Sequence, residues 1–166
     1  MLPDHIAAMA LARTGAHFAG RLALAGMPRL AEALLDSSGE VAVDLRLGTD
    51  DQRVRYLRGR IQGELTLQCQ RCLEPMALVV DIDVQLGLVE GLDEAQRLPE
   101  GYEPLVVGEG QVALSEVVED ELLLALPVVP RHSDAGECRV IESEEGAVEE
   151  TRDNPFTVLA DLKRRS

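Results

Sequence analysis

Apolar and polar residues alternate along three consecutive stretches in the middle of the chain. The first covers residues 41–47, the second residues 61–68, and the third and most regular residues 76–88. Alternation with a period of two is typical of a strand that buries one of its faces. Gly59, before the second stretch, and Gly63, within it, indicate a bulge or a bend. The pattern therefore predicts consecutive antiparallel strands.

Two helices are predicted outside these strands. Residues 27–35 combine apolar spacing with Pro28, which suits a first helical turn. Ser115 can cap a second helix over about residues 115–126, which Pro127 ends. Strands and helices together predict an α+β fold, with mainly an antiparallel β-sheet or a small open barrel and a few short helices.

Four carboxylates cluster at the start of the second predicted helix. They are Glu116, Glu119, Asp120 and Glu121. Carboxylates in a first helical turn are ordinarily solvated and stabilised by the helix dipole, so they do not form a convincing acid–base pair. The sequence also contains no phosphate loop, nucleophile elbow or dinucleotide motif. We therefore predict that the protein is not an enzyme.

The chain divides into one domain and two short C-terminal segments. Residues 1–136 are predicted to form a single globular domain with its sheet core at about residues 40–90. Residues 137–153 predict an acidic flexible segment, and residues 154–166 a helical motif. This motif packs on its own domain or docks into a partner's groove. Its candidate docking residues are Asn154, Pro155, Phe156, Leu159 and Leu162.

Composition narrows the class of protein. Hydrophobic residues make up 46% of the 166 residues but aromatic residues only 2%, so the predicted core is aliphatic. Every apolar run is shorter than the roughly 18 residues that span a bilayer. The N-terminus lacks the leading positive charge of a secretory signal, and three cysteines are too few for a disulfide framework. We expect a cytoplasmic protein without a membrane partner.

The charge is unevenly distributed. The net charge is −14, and residues 73–150 contain three Lys and Arg against twenty Asp and Glu, a net charge of −17. Such a field repels polyphosphate and favours basic partners. A local group of arginines stands out against it, either as solubilising residues on a sheet face or as a focused RNA-contact surface. These arginines are Arg53, Arg55, Arg58, Arg60 and Arg71.

The cysteines suggest a metal site. Cys69 and Cys72 have the C-x-x-C spacing with which two thiolates reach one tetrahedral zinc ion. His132 and Cys138 complete a Cys₃His set if their segment folds back over this pair. Unligated reduced thiols are the alternative. A dithiol oxidoreductase is disfavoured, because its first cysteine should open a helix and Pro75 favours extended structure here.

Four blocks of sequence, in this order and spacing, resemble the YceD family of large ribosomal RNA subunit accumulation proteins. They are LTLQCQRCLEP at 65–75, LPEGYEPLVV at 98–107, VEDELLLALPVVPRH at 118–132 and NPFTVLADLK at 154–163. The resemblance implies a bacterial protein that promotes the synthesis, processing or accumulation of large-subunit (23S) ribosomal RNA. It implies no enzymatic activity.

Two modes of action fit an acidic protein with that role. In one, the acidic region formed by residues 73–150 binds a basic ribosomal protein or a ribosome assembly factor, as a chaperone does. In the other, the five arginines contact large-subunit ribosomal RNA directly. A structural zinc-binding interaction module is an alternative to both.

Overall fold

Our computed structural model describes residues 2–134 and Cys138 and contains seven strands and four α-helices within them. In chain order the elements are β1 (His5–Ile6), α1 (Ala8–Thr14), β2 (Ala16–Ala23), α2 (Pro28–Ala33), β3 (Glu40–Thr49), β4 (Arg55–Gln68), β5 (Pro75–Val89), α3 (Leu92–Ala95), β6 (Glu103–Val106), β7 (Val112–Ala113) and α4 (Leu114–Ala125). Apart from Cys138, the predicted segments 137–153 and 154–166 lie outside the described residues.

The central sheet has five strands in the order β2–β3–β4–β5–β6. The first three pairs are antiparallel, whereas β6 runs parallel to β5, and β1 and β7 form a separate antiparallel pair. In the described part of the chain β2 and β6 remain edges, so the sheet does not close into a barrel. The predicted α+β fold, mainly an antiparallel β-sheet with a few short helices, is confirmed.

The predicted alternation decides which face of the sheet meets the core. On β3 the buried residues Val41, Val43 and Leu45 alternate with exposed ones, and β4 and β5 continue the pattern with residues such as Ile61 and Val84. The largest fully buried side chains are Leu, Met, Ile and Val, so the aliphatic core is confirmed. Helices α1 and α4 contact the sheet, and most residues of β2 and β3 on its other face are exposed, so we call this the open face.

The two glycines of β4 mark close backbone approach rather than a bulge. The register of β4 runs without interruption past Gly59 against β3 and past both glycines against β5, so of the predicted bulge or bend the bulge is wrong. A Cβ atom at Gly59 would collide with the carbonyl oxygen of Asp44, and one at Gly63 would lie 2.7 Å from Cγ1 of Val41. Glycine is needed at both positions because the partner strand leaves no room for a side chain.

Strand β2 has no counterpart in the sequence prediction. Its inward positions are only half-buried and include Ala16 and Gly20 beside Phe18 and Leu22. Small residues give a weak alternation signal, and an edge strand at residues 16–23 is therefore hard to recognise without its partner β3.

Helix α4 contains a buried carboxylate that fixes α2. Glu119 is only 2% exposed, which makes the prediction that it is solvated wrong. The backbone N–H of Leu30 donates to its Oε1 (3.0 Å), and Nε and Nη2 of Arg29 donate to its Oε2 (3.0 and 2.7 Å). Burial favours the neutral form, but these donors outweigh it and hold the pKa of Glu119 below its usual value.

The start of α4 also differs from the prediction. The helix begins at Leu114, one residue before Ser115, and its N-cap residue Ala113 makes no side-chain hydrogen bond. The predicted cap at Ser115 is therefore wrong.

None of the described helices is long and apolar enough to cross a bilayer.

We expect Glu119→Gln to lower the free energy of unfolding at pH 7 by about 1.5–3 kcal/mol, the usual contribution of hydrogen bonds to a charged group. Because the folded pKa is depressed, this contribution is present above the ordinary glutamate pKa of 4.5 and is lost as the pH falls through the folded pKa. Urea denaturation at pH 7 and pH 3 measures both effects. Glu116→Gln, at an exposed position of the same helix, is the matched control, and equal losses in the two variants would contradict the prediction.

Candidate metal centre

The Cys69–Cys72 pair lies in the tight turn between β4 and β5. The N–H of Cys69 donates to the carbonyl of Glu74 (2.9 Å), and the N–H of Leu73 donates to the carbonyl of Cys69 (2.8 Å). Leu73 adopts a left-handed conformation with φ 62°, which non-glycine residues rarely take. The turn buries both thiols, with Cys69 0% and Cys72 8% exposed.

The chain segment after α4 returns to this turn. The N–H of Gln70 donates to the carbonyl of Pro130 (2.8 Å), which fixes the two segments against each other. His132 follows two residues later, and Cys138 reaches the same place and is buried. The fold-back on which the predicted Cys₃His set depended is therefore observed.

The four side chains converge as a ligand set. Their donor atoms all lie within 4.8 Å of one another. Sγ of Cys69 lies 3.8 Å from Sγ of Cys138, and Nδ1 of His132 lies 3.6 Å from Sγ of Cys72 and 3.5 Å from Sγ of Cys138. Thiolates at about 2.3 Å from a tetrahedral ion lie about 3.8 Å apart. The observed separations match that geometry, so the cluster can hold a metal ion.

The ring of His132 is oriented for coordination. Its Nε2 lies 3.2 Å from the carbonyl oxygen of Pro75. A carbonyl can only accept, so Nε2 carries the proton and Nδ1 presents its lone pair to the cysteines. A ligating histidine typically donates its second N–H to a backbone carbonyl in this way.

Electrostatics favour a thiolate at one position in particular. Burial opposes ionisation of Cys69, but the backbone N–H groups of Cys72, Arg71 and His132 outweigh it and lower the pKa of Cys69 to about 5. At Cys138, burial and the neighbouring thiols raise the pKa to about 11. A bound cation would reverse this second effect, because a coordinating thiol loses its proton to the metal.

The cluster forms a small core of its own. Cys69, Cys72 and Cys138 pack together with the partly buried Met76, apart from the large core cluster beneath the sheet. Nη1 of Arg71 lies 4.0 Å from Sγ of Cys138. Three thiols and one methionine bury little apolar surface of their own.

The predicted arginine surface is not assembled as one patch. Arg55 contacts Glu90 (3.4 Å) and Glu94 (3.0 Å), and Arg60 pairs with Asp81. Arg71 lies at the cysteine cluster and Arg53 in the β3–β4 turn. Arg58 instead stacks on the ring of Tyr56, with 4.4 Å between guanidinium carbon and ring centroid. RNA contact by this set stays a prediction.

The candidate docking residues from Asn154 to Leu162 lie outside the described residues, so docking also stays a prediction. The structure draws attention to two residues that the sequence analysis did not single out, His17 and Arg46. They lie beside Arg58 on the open face of the sheet. The alternation along β3 predicted that Arg46 faces away from the core. The strand register that brings Arg46 and His17 together could not be predicted from the sequence.

Comparison with known proteins connects the cluster with a family. A model of the family described as "Large ribosomal RNA subunit accumulation protein YceD" matches residues 57–163, which include all four donors. The chain belongs to the YceD family. A family member from Haemophilus influenzae, with the same description, is 37% identical over 154 residues, which cover 89% of this chain and 88% of that protein. No solved structure matches.

Membership in the YceD family confirms the resemblance predicted from the four sequence blocks. The block that contains Cys69 and Cys72 and the block that ends at His132 both lie inside the match. The structure explains their separation in sequence, because the carbonyl of Pro130 is bonded to the turn that carries the two cysteines.

We expect the purified protein to contain about one equivalent of bound metal, because all four donors face one another. Cys72→Ser should reduce the metal content several-fold and lower the thermal midpoint. Elemental analysis and thermal unfolding measure the two effects. His5→Gln, which removes a histidine outside the cluster, should keep the metal. If the wild-type protein contains no metal and Cys72→Ser unfolds at the same temperature as wild type, the thiols are unligated.

Proposed function

We propose that the protein is a non-enzymatic accessory factor of ribosome biogenesis that promotes the synthesis, processing or accumulation of 23S ribosomal RNA by binding a partner. Membership in the YceD family carries this proposal, since both the family model and the Haemophilus influenzae relative are described by large-subunit RNA accumulation. The work of such a factor is done in the cytoplasm, where the cysteines stay reduced.

Within this proposal, the cysteine cluster holds a structural zinc ion. Three thiolates and one imidazole at tetrahedral spacing are a donor set that suits zinc. Structural zinc sites use four protein ligands, whereas catalytic sites leave one position open to water or substrate. Four converging protein donors therefore support a structural role, which is to attach the segment after α4 to the β4–β5 turn.

The same arrangement argues against thiol chemistry. Cys69, the described residue with the strongly lowered thiol pKa, faces three other metal donors rather than an open cleft. The pair also follows strand β4 and does not open a helix, unlike the reactive cysteine of a thioredoxin-like site. Both observations support binding rather than catalysis.

A groove between β6 and α4 supports a basic protein partner. It has a volume of about 370 Å³. Apolar residues line it, including Leu124, whose side chain is 76% exposed, together with Leu105 and Val117. Three carboxylates also line it, those of Glu103, Asp120 and Glu121.

The carboxylates of the groove lie close enough to affect one another. Partial burial and then the charges of Glu103 and Asp120 raise the pKa of Glu121 above its usual value. Positive charge from a partner would relieve this repulsion. An apolar surface with acidic residues around it fits a basic amphipathic segment, which basic ribosomal proteins and assembly factors can offer.

The main test is ribosomal RNA content in a strain that lacks the gene. We expect the ratio of 23S to 16S RNA to fall by about half or more and to recover with the wild-type gene. The Cys72→Ser gene should restore the ratio poorly, because zinc binding contributes to the free energy of folding. His5→Gln is the control. Equal 23S and 16S levels with and without the gene would refute the proposal.

The groove predicts a salt-sensitive protein complex. Wild-type protein on a resin should retain a basic protein from an RNA-free extract of large subunits, and moderate salt should release it. Leu124→Ala with Glu121→Gln should reduce retention several-fold. Leu92→Ala with Glu116→Gln is the matched control, because Leu92 is 75% exposed elsewhere on the surface. Equal retention by both double variants would exclude the groove.

A further inference from the structure

The open face of the sheet contains a row of three basic side chains on neighbouring strands. His17 of β2 pairs in register with Arg46 of β3, and Arg46 pairs with Arg58 of β4. The three line a depression of about 520 Å³, which we call the basic pocket. Its other lining residues are Thr14, Gly15, Ala16, Leu47 and Tyr56. Among the described residues of this protein of net charge −14, no acidic one lines the pocket, although Asp44 lies beside it and contacts His17.

The charges of the pocket are only partly neutralised. Among the described residues, Arg58 makes no ion pair within 4 Å, and the nearest carboxylate to Arg46 is that of Asp44, at 3.9 Å. That carboxylate also lies 3.0 Å from Nε2 of His17. Two arginines directly opposite each other on paired strands repel. An anion between the two guanidinium groups would relieve this repulsion.

The carboxylate of Asp50 also interacts electrostatically with Arg58, but its oxygens already accept other hydrogen bonds. Burial raises the pKa of Asp50, but the groups that donate to its carboxylate outweigh burial and lower the pKa below its usual value, with a smaller contribution from the charge of Arg58. Oδ1 of Asp50 accepts the N–H groups of Gln52 and Val54, and Oδ2 accepts the hydroxyl of Tyr102 (2.9 Å). Asp50 therefore stabilises its hairpin and does not form a direct pair with Arg58.

Tyr56 holds Arg58 in place. The guanidinium lies over the ring at 4.4 Å, and the ring lies against Gly48 of β3, where any Cβ atom would collide with it. Stacking restricts the guanidinium to one plane, and so less side-chain entropy is lost when an anion binds. The pocket is therefore partly preorganised for a planar, two-pronged contact with phosphate.

We propose that the basic pocket binds the phosphate backbone of single-stranded RNA, with Arg46 and Arg58 each neutralising one phosphate. The choice of RNA as ligand rests on the proposed function. Arginine and tyrosine side by side also suit RNA, because bases stack on both kinds of plane. Beyond the pocket, Asp44 and Asp83 lie on the same face, so the contact is limited to a short stretch of backbone.

The test is titration of a fluorescent oligouridylate of about 12 nucleotides, within the usual site sizes for single strands, with the purified full chain. Arg46→Gln with Arg58→Gln should weaken binding about tenfold or more at low salt. It should also reduce the slope of log affinity against log salt by about 1.4, since each neutralised phosphate of a single strand contributes about 0.7. Arg21→Gln with Arg13→Gln is the control, because both arginines are exposed and outside the pocket.

The outcomes separate the pocket from the proposed function. Equal affinity and slope in the two double variants would overturn the pocket, and so would displacement of the oligouridylate by inorganic phosphate at equal phosphate concentration, which identifies a free-phosphate site. Unchanged thermal unfolding of the variants shows that they are folded. A fall in the 23S to 16S ratio on gene deletion, together with failed oligouridylate binding, would leave the proposed function standing without the pocket.

Discussion

The register of β4 against its two neighbours is the constraint on which the other features depend. Strand β4 pairs with β3 on one side and along almost its whole length with β5 on the other. A slip by one residue would turn Ile61 and Leu65 towards solvent and expose the core face. The same slip would displace Cys69 from the turn and Arg58 from Arg46. Core, metal centre and basic pocket are thus set by one alignment.

The sequence predicted well the features in which a local pattern determines the structure. Alternation along β3, β4 and β5 follows directly from burial of one face, and the spacing of Cys69 and Cys72 is one that lets two thiols face a single metal ion. Features that depend on a distant partner were missed. Strand β2 needs β3 to define it, and the parallel direction of β6 depends on the crossover after β5. Burial of Glu119 depends on Arg29 and Leu30, which are about 90 residues away in sequence.

The charge distribution shows why counting arginines along the chain was insufficient. Arg55 and Arg60 looked available in the sequence, but carboxylates of the acidic region neutralise both. Arg46 was inconspicuous, yet pairing across the sheet places it beside Arg58 and His17. Local potential depends on which charges share a face, whereas net charge governs only long-range attraction and repulsion. A strongly acidic protein can therefore have a small cationic surface.

If the ion stays bound to its ligands when the protein unfolds, the cluster beside the Gln70–Pro130 bond also restricts the unfolded chain. A metal ion that joins Cys72 to His132 closes a loop of about sixty residues, because these ligands are 60 positions apart. A covalent cross-link over such a loop restricts the unfolded ensemble by about 4 kcal/mol in the chain-entropy model. A disulfide is not maintained in a reducing compartment, but thiolate–metal bonds persist there. The cluster would thus act as a cross-link that is compatible with reducing conditions, and its strength would vary with the supply of metal.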